Sequence, residues 1–132
     1  MKKKKILIVD DELDMRIFIS TLLETRGYKP VVTRDGKEGM RKAKSVEPDL
    51  IILDVMMPEE GGVQMYRQLK TDENLKNIPV IMVSAIAKKT FSHYLKMLNV
   101  QRDDHIPEPE AYMEKPPEAE ALLKMTGHLI GS

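Results

Sequence analysis

The sequence contains no cysteine, which excludes a disulfide framework and any thiolate metal site. It has no tryptophan and few aromatics of any kind, so aliphatic residues and the ten methionines must fill most of the interior. Charge of one sign is missing as well. The 21 Lys and Arg balance 21 Asp and Glu, and bulk charge therefore draws the chain toward neither nucleic acid nor an anionic membrane. No apolar run is long enough to cross a bilayer. Lys2 to Lys5 lead into only Ile6 to Val9 before Asp10 interrupts, too short a stretch for a signal-peptide core. Neither a P-loop nor a GxGxxG pattern is present, which argues against nucleotide binding. These absences predict a cytoplasmic protein with no direct nucleic-acid or membrane partner. The 132 residues fit one domain over 1–132, with no effector domain among them.

What is present is an alternation of two patterns. Lys5-Ile6-Leu7-Ile8-Val9, Leu50-Ile51-Ile52-Leu53 and Pro79-Val80-Ile81-Met82-Val83 are continuous apolar runs, the mark of strands covered on both faces. Lys29 to Thr33 reads as a further strand, and Pro30 places it at an edge or a strand start. Ala111-Tyr112-Met113 is a weaker fifth. Between them, Met15, Phe18, Ile19, Leu22 and Leu23 recur at helical spacing and stop at Gly27. Further helices are predicted from Asp35-Gly36 to about Ser45, from Val63 onward, from Thr90 to Val100 and from Glu118 to about Leu129. Phe91, Tyr94, Leu95 and Leu98 are expected to form one buried helix face. Strands that alternate with helices in this way predict an α/β, doubly wound parallel sheet with helices on both faces. Gln101 to Glu110, polar and with two prolines, is predicted to be an unusually long loop.

In such a sheet ligands bind at the carboxyl ends of the strands. Asp10, Asp11 and Glu12 follow the first strand, Asp54 the third, Ser84 the fourth and Lys115 the fifth. Carboxylates only a few ångströms apart repel by roughly 1–4 kcal/mol per pair. Lys115 offsets part of that, and a hard divalent cation such as Mg2+ offsets more. A carboxylate beside such a cation can act as a nucleophile toward phosphorus. Each residue has a bland reading by itself: a helix cap, a turn, a solvated lysine. Their joint occurrence at strand ends is what carries weight. The three histidines, His93, His105 and His128, lack metal-ligand spacing and are expected at the surface or at caps.

The stretches Ile6-Leu7-Ile8-Val9-Asp10-Asp11, Asp49 to Pro58 with Gly61-Gly62, Ile78 to Ala85 and Tyr112-Met113-Glu114-Lys115-Pro116 resemble response-regulator receiver domains of two-component systems, including the chemotaxis type. The resemblance covers nearly the whole chain. It implies a flavodoxin-like five-stranded sheet of order 2-1-3-4-5 and a signalling switch rather than an enzyme. It makes Asp54 the phosphoacceptor, served by Lys115 and Ser84. Mg2+ would be held by Asp10, Asp11, Asp54 and the backbone carbonyl of Met56, with Asp11 more direct than Asp10. Tyr112 would be a rotamer switch alongside Ser84, and Lys115-Pro116 a cis bond. The implied partners are a sensor histidine kinase or phosphotransfer protein and an unnamed downstream protein that reads the fourth-helix, fifth-strand and fifth-helix surface. The implied assembly is a monomer or a phosphorylation-dependent homodimer.

The chain departs from the family in two places. The stretch from Ser84 to Lys115 is lengthened around Gln101 to Glu110, next to the output surface, so the fourth helix is expected to be displaced or mobile. Met56 and Ile86, two residues past Asp54 and Ser84, are both apolar and predict slow self-dephosphorylation. Two competing functions are a docking module that is never phosphorylated and a phosphatase of the haloacid dehalogenase type. The phosphatase would need a second Asp two residues after Asp54, where Met56 stands.

Overall fold

A computed structural model describes residues 2–55, 61–101 and 105–131. Ten elements alternate: β1 (Lys5–Val9), α1 (Leu13–Glu24), β2 (Lys29–Thr33), α2 (Gly36–Val46), β3 (Leu50–Leu53), α3 (Gly62–Thr71), β4 (Val80–Ser84), α4 (Lys88–Gln101), β5 (Ala111–Glu114) and α5 (Ala119–Ile130). All strands pair in parallel, in the order β2-β1-β3-β4-β5. β2, with its Pro30, lies at an edge, where a missing backbone N–H costs no ladder bond.

The apolar runs explain the layering. Successive side chains of a strand point to opposite faces. Leu7, Val9, Ile51, Leu53, Val80 and Met82 therefore enter one core, shared with Met65, Tyr66 and Leu69 of α3 and Phe91 and Leu95 of α4. Ile6, Ile8, Leu50, Ile52, Ile81 and Val83 enter the other, with Ile19 and Leu23 of α1 and Leu122 and Leu123 of α5. α1 ends where expected, with Gly27 in the left-handed region at φ 82°. The α4 face differs from the predicted one. Phe91 and Leu95 are buried, but Tyr94 is exposed, because a helix this close to a sheet turns only a narrow stripe inward.

The described part of the lengthened segment, 105–110, is fastened. Ile106 is buried in the α3–α4 core. The Asn99 side chain bonds the Ile106 backbone twice, donating Nδ2–H to its carbonyl at 2.9 Å and accepting its N–H at 2.8 Å. The Tyr66 hydroxyl donates to the Pro107 carbonyl at 2.6 Å, and a Glu110 carboxylate oxygen accepts the Val80 N–H at 2.7 Å. These anchors tie the end of α4 and the start of β4 to the segment.

Candidate functional site

Strand register assembles the site. Val9 pairs with Leu53 in the last β1–β3 rung, so the next residues, Asp10 and Asp54, leave the sheet side by side. Backbone bonds fix both turns: the Asp54 N–H donates to the Val9 carbonyl at 2.9 Å and the Asp10 N–H to the Thr33 carbonyl at 3.2 Å. Ser84 pairs with Glu114 in the last β4–β5 rung, and the Lys115 N–H donates to the Ser84 carbonyl at 2.7 Å. Lys115 thus emerges just past the same sheet end. Its bond to Pro116 is cis.

These residues meet at one ammonium. Lys115 Nζ lies 2.9 Å from Asp10 Oδ2, 3.0 Å from Asp54 Oδ2 and 2.5 Å from Glu12 Oε1. Asp10 and Asp54 are buried, and Glu12 is exposed. One carboxylate oxygen from each of Asp10, Glu12 and Asp54 lies within 4.8 Å of the other two. Burial raises the pKa of Asp10, and the Glu12 carboxylate adds to the rise. The Glu12 N–H and Lys115 oppose it without cancelling it. Burial alone would depress the Lys115 ammonium, but its bonds to Glu12, Asp10 and Asp54 outweigh that and raise its pKa. Three carboxylates around one ammonium leave the pocket short of positive charge, and its donors are all hard oxygens. That is the composition a small divalent cation favours.

The wall beside the pocket comes from β4 and β5. Ser84 is fully buried, and its Oγ accepts the Ile86 N–H at 3.2 Å. The Tyr112 hydroxyl donates to the Ile86 carbonyl at 2.7 Å, and its ring stacks on Phe91 of α4 at 5.3 Å. Burial raises the Tyr112 pKa, against a lowering contribution from the Ser84 hydroxyl. Ser84, Ile86, Tyr112 and Phe91 therefore form a continuous line from the pocket to α4.

The structure gathers Asp10, Asp54 and Lys115 and sets Ser84 and Tyr112 alongside. It does not bring Asp11 into the group: that residue is exposed, and Glu12 holds the third position. The cause is a local turn. Asp10 Oδ1 accepts the Glu12 N–H at 2.9 Å, and Arg16 Nη1 donates to the Asp10 carbonyl at 2.9 Å, so the chain winds into α1 with Glu12 facing Lys115. Met56 lies outside the described residues. Gly62 carries a role that sequence reasoning took only for a turn. A Cβ there would fall 1.9 Å from the Asp54 carbonyl oxygen and 2.5 Å from Val55 Cα. The start of α3 thus rests directly on the backbone that presents Asp54, and only glycine permits it.

Residues 6–125 match the family model described as the response regulator receiver domain. The polar-differentiation response regulator DivK of Brucella ovis is 42% identical over 89 residues, covering 67% of this chain and 72% of that protein. Among solved structures, the chemotaxis protein CheY4 of Vibrio cholerae superposes with a TM-score of 0.82 at 26% identity, over 97% of this chain and 99% of that one. The signal receiver domain of a signal transduction histidine kinase from Syntrophus aciditrophicus gives 0.81 at 29% identity, over 96% and 89%.

Proposed function

The chain belongs to the response regulator receiver domain family, the phosphorylation-activated switches of two-component signalling, and on that premise we propose that Asp54 is its phosphoacceptor. The observation that carries this is the 3.0 Å contact between Lys115 Nζ and Asp54 Oδ2 at the floor of an acidic pocket. An Asp54 oxygen attacks the phosphorus of a phosphohistidine on a sensor kinase or phosphotransfer protein. A P–O bond forms, the P–N bond breaks, and its electron pair leaves with the imidazole. Lys115 holds a phosphoryl oxygen as charge develops, and the Ser84 hydroxyl donates to another. Leu13 and Ile17, exposed on α1 one turn apart beside the pocket, offer an apolar contact for the donor protein.

Receiver domains typically bind Mg2+ at an acidic cluster, and these residues fit that ion: oxygen donors only, two of them buried, with burial already raising one pKa. Asp10 and Asp54 would hold it, with Asp11, exposed on the same loop, and the Met56 carbonyl as further ligands. When bound, the ion supplies positive charge against the oxygens of the transferring group.

The phosphoryl group draws Ser84 toward it. Ser84 carries the Ile86 N–H, and the Ile86 carbonyl holds the Tyr112 hydroxyl, so the shift passes to the ring stacked on α4 and to the α4-β5-α5 surface. A downstream protein, or a second phosphorylated copy, reads that surface. The family's members act generally as switches, and this chain is proposed to turn over no external substrate. Ile86 presents no polar side chain to orient a hydrolytic water, so loss of the phosphoryl group is slow. Among the described residues no helix is long and apolar enough to cross a membrane, in keeping with a cytoplasmic setting.

The test is incubation with acetyl phosphate and Mg2+, read by intact mass. The parent gains a single phosphoryl adduct, and Asp54→Asn gains none. Equal labelling of the two proteins would reject Asp54. A half-life of seconds for the adduct would reject slow loss, and repeated turnover of the donor would make the protein a phosphatase.

A further inference from the structure

Glu12 is the one member of the Lys115 cluster that the proposed chemistry does not use, yet it makes the shortest contact to the ammonium, 2.5 Å. A lysine ammonium has three N–H donors and no more. Here three carboxylates receive them: Asp10, Asp54 and Glu12. A phosphoryl group approaching Asp54 brings further oxygens that require Lys115 while Asp54 is still a carboxylate, so one existing partner must let go. The costs of release differ. Asp10 and Asp54 side chains are each 2% exposed, and before the P–O bond forms, freeing either would leave a buried carboxylate with fewer partners. Glu12 is 60% exposed, and water can replace Lys115 around it at small cost. Glu12 is therefore the partner that yields.

We propose that Glu12 is a positioning residue that competes with the phosphoryl group for the Lys115 ammonium, holding the lysine in the unmodified protein and thereby slowing phosphoryl uptake. It acts through Lys115, and its own negative charge at the pocket mouth opposes an anionic donor in the same sense. Both effects belong to the state before transfer. Once Asp54 is modified, Lys115 faces the phosphoryl oxygens and Glu12 faces solvent. Removing the Glu12 charge should therefore speed formation of the acyl phosphate and leave its loss unchanged. This inference rests on Asp54 being the phosphoacceptor.

The test compares the parent with Glu12→Gln, which keeps the side-chain length, and Glu12→Asp, which keeps the charge but is one methylene shorter. The first measurement needs neither metal nor phosphate: trace acetylation of lysines by acetic anhydride, read by peptide mass spectrometry, with exposed Lys124 as the internal reference. Glu12→Gln should raise Lys115 reactivity several-fold relative to Lys124, because Nζ is released from the 2.5 Å contact that holds it at the pocket mouth. The second is uptake from acetyl phosphate with Mg2+, in which an Asp54 oxygen bonds to phosphorus and acetate leaves with the electron pair of the broken P–O bond. Its rate should rise roughly three- to tenfold in Glu12→Gln, less in Glu12→Asp, with the adduct's half-life changed by less than about twofold in either. Unchanged Lys115 reactivity overturns the proposal. So does slower uptake with weaker Mg2+ dependence, which would make Glu12 a metal ligand instead. If the parent itself takes up no phosphoryl group, the phosphoacceptor assignment and this proposal both fall. Failure in the Glu12 variants alone removes only the role of Glu12.

Discussion

Two lysines lie partly buried at opposite ends of the sheet, and their surroundings differ. Lys115, at the carboxyl ends, has a side chain 10% exposed and faces three carboxylates within 3.0 Å. Lys70, at the amino ends, is 5% exposed. Its ammonium donates to the Lys76 and Ile78 carbonyls at 3.2 and 3.1 Å, with a single carboxylate, Glu110, at 3.9 Å and the Tyr66 ring beneath at 5.7 Å. The pKa of Lys115 is raised because its carboxylate bonds overcome burial. That of Lys70 is lowered because burial outweighs its one carboxylate. At the amino ends one ammonium faces one carboxylate, and Glu110 belongs to the lengthened segment that this contact helps to fasten. At the carboxyl ends negative charge exceeds positive, a costly state that a cation or a new bonding pattern at Lys115 can relieve. Excess charge held in place by backbone register is the physical signature that separates the site from the scaffold.

The sharpest way to break this contrast is to remove Lys115. Lys115→Met leaves Asp10 and Asp54 buried without their ammonium. Loss of about 3–5 kcal/mol is expected in chelator-treated protein by urea unfolding, and Mg2+ should restore part of it. Stability equal to the parent without metal would show that the carboxylates are not charged together as described. The corresponding break at the scaffold end is Ile106→Ala. It empties a buried position among Tyr66, Phe91 and Leu95, and should cost about 2–5 kcal/mol. Phosphoryl uptake should survive where the variant is folded. A loss below about 1 kcal/mol would mean that the lengthened segment does not seal the α3–α4 core.

Asp54→Asn sharpens the comparison from the other side. It removes one of three repelling carboxylates while Lys115 keeps Asp10 and Glu12. The metal-free protein should gain about 1–2 kcal/mol, the scale of one like-charge pair in a partly wet site. A substitution that abolishes phosphorylation and stabilises the fold is what excess charge kept for function predicts. A decrease in stability would instead make Asp54 a net structural partner of Lys115.

Sequence alone shows the frame of this contrast but not its detail. Short continuous apolar runs rich in β-branched residues, such as Ile6–Val9 and Leu50–Leu53, read as strands covered on both sides, and a parallel sheet then brings Asp10, Asp54 and Lys115 to one end. Asp11 against Glu12 could not be settled that way. The choice depends on an Asx-type turn, in which the Asp10 side chain accepts the Glu12 N–H, and two adjacent acidic residues look alike in a string. Gly62 was legible as a turn but not as a close contact, because the Asp54 backbone it touches is distant in sequence. The anchoring of 105–110 was equally hidden. Tyr66 and Pro107 are 41 positions apart, and nothing in a polar, proline-containing stretch shows that Ile106 is buried. Tyr94 follows the helical spacing of Phe91 and Leu95, yet spacing does not reveal how narrow the covered stripe is.

The smallest expected effect is also the most specific test of Lys70. Lys70→Met keeps an apolar stem over Tyr66 and deletes a charge that burial already disfavours. Two hydrogen bonds to backbone carbonyls are lost, and the cost of a desolvated ammonium disappears with them, so the net change near neutral pH should be under about 1 kcal/mol. The pH dependence carries more information. A lysine whose pKa is lowered on folding binds its proton more weakly in the folded state than in the unfolded chain. Between the lowered value and the ordinary 10.5, the unfolded state therefore holds more protons, and stability rises with pH. The parent should gain on Lys70→Met as pH increases through that window. Measurement stays below pH 10, the ordinary tyrosine value, because burial raises Tyr66 and its titration drives stability the opposite way above it. Parallel pH profiles for the two proteins would mean that Glu110 compensates Lys70 fully, and the contrast with Lys115 would then be one of size rather than of opposite sign.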